Sequence, residues 1–110
     1  MAKSYRELLE LAAKAAGIEG YRYSDGFRCM AHWNESDGGW FDACGLWDPL
    51  TDDGDALRLA VKLQLEIYID HGGVAVRTHC GLKTLEDGCD SAATRRAIVR
   101  AAAAIGEPMQ

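Results

Sequence analysis

Tryptophans and carboxylates, two kinds of residue that often build protein-binding surfaces, are concentrated between residues 33 and 55. All three tryptophans and seven acidic residues fall in this segment, which contains no lysine or arginine. Aromatic rings are frequent anchors of protein interfaces, and carboxylates around them steer a basic partner. We therefore predict a partner-binding surface made of Trp33, Trp40, Trp47, Asp48, Asp52 and Asp53.

The same residues have a second interpretation. Tryptophan is highly buried on average, and aspartate is favoured just before a helix, where its carboxylate caps the first turn. The tryptophans would then belong to the core, and the aspartates would cap the helix that begins near Gly54. Both interpretations stay open at the level of the sequence.

Cysteine and histidine side chains are the residues that could bind a metal. The candidate ligands are Cys29, His32, Cys44, His79, Cys80 and Cys89. Zinc needs four such groups that converge tetrahedrally, whereas these spacings are irregular and include no C-x-x-C pair. The adjacent His79 and Cys80 would also point to opposite faces of a strand. We therefore expect no metal or other cofactor, with a small zinc-binding protein or a metal-dependent enzyme as an alternative.

Two arginines offer a different chemistry, the binding of an anionic ligand. Arg58 and Arg95 hold equivalent positions in two similar stretches, Gly38–Lys62 and Gly72–Arg100. Two guanidinium groups related by a pseudo-twofold axis could grip a symmetric anion such as a cyclic dinucleotide. A binder or sponge of a nucleotide second messenger is therefore a further alternative, beside the simpler interpretation that both arginines are solvated.

Motifs of nucleophilic enzymes and of phosphate-binding loops do not occur in the chain. No G-x-S-x-G is present, and neither Gly38-Gly39 nor Gly72-Gly73 is followed by the Gly-Lys-Ser/Thr of a P-loop. We therefore predict that the protein is not an enzyme.

The two similar stretches also indicate how the chain is built. Each has a Gly-Gly turn, a Cys-Gly-Leu loop, an Asp-Gly pair and a helical segment rich in alanine and arginine, in the same order. This order suggests an internal duplication of a ββα unit, with chance similarity as the alternative. Residues 21–64 would form the first unit and residues 65–106 the second.

Apolar residues at helical spacing predict three helices. The first lies within residues 1–17, because Ser4 and Glu7 can form a capping box and Gly17 can end the helix. The second covers about 54–63 and the third about 91–106. In the second helix the apolar face is wide enough to suggest a central position, since only Arg58 and Lys62 clearly face water. Its apolar residues are Ala56, Leu59, Ala60 and Leu63, with Leu57 and Val61 widening the stripe.

Extended segments are predicted on both sides of the second helix. Residues 21–32 and 40–41 favour strands separated by turns, and residues 65–70 alternate cleanly and form a hairpin with residues 74–78. Residues 80–88 are predicted to be a loop. Turn signals stand at Asp25-Gly26 and Asp37-Gly38-Gly39. The predicted class is α+β, with one antiparallel sheet of about four strands, three helices and the order α-ββ-α-ββ-α.

Composition excludes several classes of function. The 110 residues carry a formal net charge of −5, and the isoelectric point is about 5.1. Nucleic-acid-binding modules usually have a basic face, so we expect no direct DNA binding. Because no apolar run approaches the length of a membrane span and no charged-then-apolar leader is seen, we expect a single cytoplasmic domain, residues 1–110, that does not associate with a membrane.

Three segments carry a resemblance to a known group of proteins. They are Trp47-Asp48-Pro49-Leu50, the helical run from Asp53 to Leu63, and Ala93 to Val99. These segments resemble small proteins of the NinX-like kind that are encoded by tailed phages and prophages. The resemblance implies a phage accessory gene that acts in the host cytoplasm, and it implies no catalytic residues.

Together these observations lead to one expected function. We expect a non-enzymatic phage accessory protein that binds a host protein, a basic one in view of the negative charge, and so inhibits an anti-phage defence system. A homodimer is compatible with this expectation.

Overall fold

The computed structural model describes residues 3–18, 21–24, 29–34 and 39–109. In this part of the chain, three helices alternate with two runs of three strands. The elements are α1 (Tyr5–Ala16), β1 (Tyr21–Ser24), β2 (Cys29–Asn34), β3 (Gly39–Trp47), α2 (Asp53–Lys62), β4 (Glu66–Asp70), β5 (Gly73–Arg77), β6 (Lys83–Asp87), α3 (Ser91–Gly106) and a 3-10 turn at Glu107–Met109. Within the same ranges, no helix has the length and apolar character needed to cross a membrane.

The α+β class and the three helices are confirmed, whereas the predicted order and strand count are wrong. Each run between helices has three strands rather than two, and each run forms its own antiparallel sheet instead of joining a common one. The strand orders are β1-β2-β3 and β4-β5-β6. The turn signals at residues 25–26 and 37–38 lie outside the described residues.

Strand β6 occupies the segment that the sequence predicts to be a loop, and its pattern explains the error. Thr84 lies opposite Val76 in the sheet register and is buried with it. Leu85 points to the opposite face and is 62% exposed. The polar Thr84 therefore faces the core and the apolar Leu85 faces solvent. This is the reverse of the alternation that identifies a half-buried strand in a sequence.

Glu86 shares the inner face of β6 and is held there by α3. Its carboxylate accepts hydrogen bonds from Nε of Arg96, at 3.0 Å, and from Nη1 of Arg100. Burial raises the pKa of Glu86, but these two hydrogen bonds outweigh burial, so the pKa lies below its ordinary value. The ion pairs therefore join β6 to α3 at a position where an apolar residue would be expected.

Local signals determine where α1 begins and ends. The Ser4 hydroxyl accepts a hydrogen bond from the Glu7 amide at 3.2 Å, and the Glu7 carboxylate reaches back to the Ser4 amide, so the predicted capping box is confirmed. Gly17 adopts a left-handed conformation (φ 69°) and ends the helix as predicted. The third helix is capped in the same manner by Asp90, whose carboxylate accepts from the Ala93 amide at 2.8 Å.

Helix α3 is the centre of the core. It packs against α1, α2, β5 and β6, while α1 also contacts β1 and β2 and so connects the first sheet to the core. Most of the buried residues of α3 are small, which lets neighbouring elements approach it closely. They are Ala93, Ala97, Ile98, Val99, Ala101, Ala102, Ala103 and Gly106.

The closest approach joins the end of α3 to the middle of α1. A Cβ atom placed on Gly106 would lie 2.0 Å from the carbonyl oxygen of Leu11 and 3.3 Å from the amide nitrogen of Ala15. Both contacts are with backbone, which cannot move without displacing the helix. Gly106 is therefore required for the spacing of the two helices.

We predict that Gly106→Ala lowers the free energy of unfolding by about 2–3 kcal/mol, because the new methyl group must push α1 away from α3. Urea denaturation followed by circular dichroism measures the change. The matched control is Gly72→Ala, where the new Cβ would meet only Asp70 Oδ1 at 3.7 Å. This control should stay within about 0.5 kcal/mol of the parent chain. Equal stability of the two variants would contradict the close approach.

We predict that Glu86→Gln lowers the free energy of unfolding by about 1 kcal/mol near pH 7, after allowance for the partial exposure of both arginines. Because the folded-state pKa of Glu86 is depressed, its contribution is complete above the unfolded-state pKa of about 4.3. The contribution is lost as the pH falls through the lower, folded-state pKa. Denaturation curves of the parent and the variant should therefore converge in acid, and a constant difference from neutral to acid pH would refute the assignment.

Candidate functional site

The connector, residues Trp47–Asp52, runs from the last residue of β3 to the N-cap of α2 and contains three of the six predicted partner-binding residues. At its start, the Asp48 carboxylate accepts hydrogen bonds from the Leu50 amide at 3.2 Å and the Thr51 hydroxyl at 2.7 Å. The Asp48 amide donates to Oδ2 of Asp55 at 3.0 Å. Asp48 therefore folds the connector and ties it to α2.

Asp52 and Asp53 mark the beginning of α2. Asp52 is the N-cap, and its carboxylate accepts from the Asp55 amide at 2.7 Å. Asp53 is exposed, and its Oδ1 accepts from Nη1 of Arg95 at 2.5 Å. The aspartates thus act at the helix terminus, as the capping interpretation expected, and Asp53 also links α2 to α3.

The two arginines proposed for anion binding are both engaged by these aspartates. Arg58 contacts Asp55 at 2.8 Å and Asp52 at 3.8 Å, with 72% of its side chain exposed. Arg95 is only 20% exposed, and its Nε donates to the Leu50 carbonyl at 2.9 Å in addition to the contact with Asp53. An anionic ligand would have to displace internal carboxylates from both guanidinium groups.

Of the three tryptophans, Trp47 has a described side chain, and it belongs to the core. It is 9% exposed, lies opposite the buried Met30 in the register of β2 and β3, and joins the same apolar cluster. Trp33 and Trp40 lie opposite each other on these strands, and their side chains are outside the described part of the structure. Trp47 therefore presents no ring to a partner in this conformation.

The candidate metal ligands are only partly within the described structure. Cys80 and Cys89 are exposed and unbridged, and a hydrogen bond with the Thr78 hydroxyl at 3.1 Å lowers the pKa of the Cys80 thiol. Among the described side chains, no group of three histidine, cysteine or acidic residues is placed to hold a metal ion. The side chains of Cys29, His32 and Cys44 lie outside those described.

An apolar cleft that the sequence did not indicate lies between α2, β4 and the beginning of α3. We call it the α2–β4 cleft; it has a volume of about 330 Å³. Its apolar wall is formed by Leu57, Ile67, Ile69 and Ile98, and its charged lining residues are Asp53, Asp90 and Arg95. Ile98 is buried and forms the floor, whereas Leu57 and Ile69 are 61% and 57% exposed.

The exposed apolar surface continues along α2 beyond the cleft. Val61 lies one helical turn after Leu57 on the same face and is 69% exposed. The prediction that Leu57 and Val61 widen a buried stripe is therefore wrong. Only Ala56, Leu59 and Ala60 of α2 are fully buried, because α2 packs beside α3 along a narrow stripe.

Strand β4 forms an edge of its sheet next to this cleft. It pairs with β5 on one side, and no other strand of the described structure pairs with its second side. Asp70 and Gly73 enclose a two-residue turn, so their backbones form a hydrogen-bonded pair across the two strands. In an antiparallel ladder such pairs recur at every second residue, so Tyr68 and Glu66 are also hydrogen-bonded to β5. The N–H and C=O groups of Ile67 and Ile69 therefore point away from β5.

Comparisons with models of protein families, with curated proteins and with solved structures found no match to this chain. The aspartate-rich connector is committed to internal contacts, and the α2–β4 cleft combines exposed apolar side chains with a free strand edge.

We predict that Arg95→Ala destabilises the protein by about 1–2 kcal/mol, because the half-buried Leu50 carbonyl loses its donor and Asp53 loses its partner. Arg58→Ala is the matched control, since it removes an exposed arginine that is also paired with aspartates, and it should shift the denaturation midpoint less. Thermal denaturation of the two variants measures the difference. A larger shift for Arg58→Ala would show that the internal contacts of Arg95 are misassigned.

Proposed function

We propose that the protein works by binding a protein partner at the α2–β4 cleft and that it is not an enzyme. One observation carries this proposal: Leu57 and Ile69, each more than half exposed, line the same cleft beside the edge strand β4, and Val61 extends the exposed apolar face of α2. Contiguous apolar patches of this kind are uncommon on monomers and often mark interaction sites. The net charge of −5 favours a basic partner.

The proposed biological setting follows from the resemblance to NinX-like phage proteins. We propose that the chain is a phage accessory protein and that its partner is a host protein of the cytoplasm, whose capture inhibits an anti-phage defence system. A small chain that binds without catalysis suits this role, because covering one surface of a target is enough to block it. The exposed apolar residues of α2 and β4 support a contact there, whereas Trp47, the tryptophan whose side chain is described, is buried.

We also propose that the chain arose by internal duplication. Both halves contain a three-stranded antiparallel meander followed by a helix, β1-β2-β3-α2 and β4-β5-β6-α3. The repeating unit would then be βββα rather than ββα. In this scheme the second unit supplies β4, the strand of the cleft, and the first unit supplies α2, the helix beside it.

We predict that Leu57→Lys reduces partner capture at least about tenfold, because a charged group replaces an apolar contact worth roughly 1.5–3 kcal/mol when buried. The measurement is quantitative mass spectrometry of proteins crosslinked to the tagged chain in host cells. Leu85→Lys is the control, because Leu85 is equally exposed, at 62%, on the opposite face of the sheet. The proposal fails if Leu57→Lys enriches the same protein as strongly as Leu85→Lys does.

A further inference from the structure

Resting on the proposed function, we infer that the partner enters the α2–β4 cleft as an extended segment that adds a strand to β4. The segment would carry two apolar residues at alternate positions, directed into the cleft, and basic residues at its ends. Backbone hydrogen bonds to β4 would fix the position of the bound segment, and its side chains would determine which partner binds. This mode of recognition is strand addition at a sheet edge.

The backbone of β4 supplies the hydrogen-bonding groups that such a segment requires. Because Glu66, Tyr68 and Asp70 are the residues hydrogen-bonded to β5, the N–H and C=O groups of Ile67 and Ile69 face outward. An occupant that covers this edge without pairing those four groups would leave them desolvated and unbonded. A strand pairs all four groups, whereas a helix, whose backbone groups bond internally, pairs none.

The side chains of β4 also match an extended occupant. Ile67 and Ile69 share the sheet face of Val76 and Val74, which are buried against α3, so that face leads into the cleft. Residues of an added strand that lie opposite Ile67 and Ile69 would point to the same face, below Leu57. A volume of about 330 Å³ suits a few aliphatic side chains. A helix, about 10 Å across with its side chains, is too wide for it.

Charge distinguishes a basic segment from a second copy of the chain. In the antiparallel register that pairs Ile67 with Ile69 of another copy, β4 would centre on Tyr68, and Glu66 would lie directly opposite Asp70 of that copy. Like charges in that position are destabilising. Hydrogen bonds from the Tyr68 hydroxyl and from Arg77, at 2.7 Å, lower the pKa of Glu66, and the Asp70 carboxylate accepts a hydrogen bond from the Gly72 amide at 2.8 Å. Lysine or arginine opposite these carboxylates is complementary instead.

The first test uses synthetic peptides on the purified full-length protein. One peptide has two isoleucines separated by a threonine, with lysines at both ends. A second has glutamates in place of the lysines, and a third is N-methylated at both isoleucine amides. Fluorescence anisotropy measures affinity, and hydrogen exchange by NMR measures protection of individual amides.

We expect the lysine peptide to bind and to slow exchange of the Ile67 and Ile69 amides at least about tenfold. The glutamate and N-methylated peptides should each bind at least about tenfold more weakly. Binding of the lysine peptide without protection of these two amides, or equal binding of the N-methylated peptide, would overturn strand addition. Equal binding of the glutamate peptide would overturn the basic character of the partner.

The second test separates this inference from the proposed function. Ile69→Pro removes an outward N–H while leaving the hydrogen bonds to β5 intact, and Ile69→Thr removes the apolar side chain but keeps the N–H. In the crosslinking measurement, strand addition requires a loss of the partner in Ile69→Pro that exceeds the loss in Ile69→Thr. If Leu57→Lys loses the partner while Ile69→Pro retains it, the cleft binds a partner by another mode and only strand addition fails. Sedimentation of the purified chain as a dimer that Ile69→Pro dissociates would assign the edge to a second copy and overturn the inference.

Discussion

Helix α3 holds α1, α2 and the second sheet together. This helix is enclosed by α1, α2 and the second sheet, and the enclosure is possible because most of its buried side chains are no larger than alanine. Small side chains gain little from leaving water one by one, so their contribution comes from dense contact between backbones. The same closeness leaves no room for a Cβ at Gly106. The stability of this protein therefore depends more on the short distance between its helices than on large buried side chains.

Ion pairs add further contacts between α3 and its neighbouring elements. Three arginines of α3 reach outward to neighbouring elements: Arg95 to Asp53 and the connector, and Arg96 and Arg100 to Glu86 of β6. Each pair is partly exposed, so its contribution to stability is modest. The proposed partner surface of α2 and β4 is instead apolar, through Leu57, Val61 and Ile69. The acidic, tryptophan-containing connector, although conspicuous in the sequence, mainly joins α2 to β3.

Features with local causes could be predicted from the sequence, and features with tertiary causes could not. The beginning and end of α1 depend on Ser4, Glu7 and Gly17, which act on their own helix, and the alternation of β4 depends on that strand alone. The exposure of Leu57 depends instead on where α3 meets α2, which no periodicity within α2 reveals. Strand β6 could not be predicted from its own sequence, because Glu86 faces the core only through its contacts with Arg96 and Arg100 of α3. The cleft escaped prediction for the same reason, since its walls come from three separate elements.

The reversed pattern of β6 gives the folding chain two competing alignments. A shift of β6 by one residue against β5 would turn Leu85 towards the core and Glu86 towards water, and it would also turn Lys83 and Asp87 inward. The native alignment prevails through the arginines of α3, which can bind Glu86 only after that helix has formed and docked. Assembly of the second sheet is thus coupled to the helix that follows it in the chain, and a nascent chain that ends before α3 lacks the contacts that select the correct register.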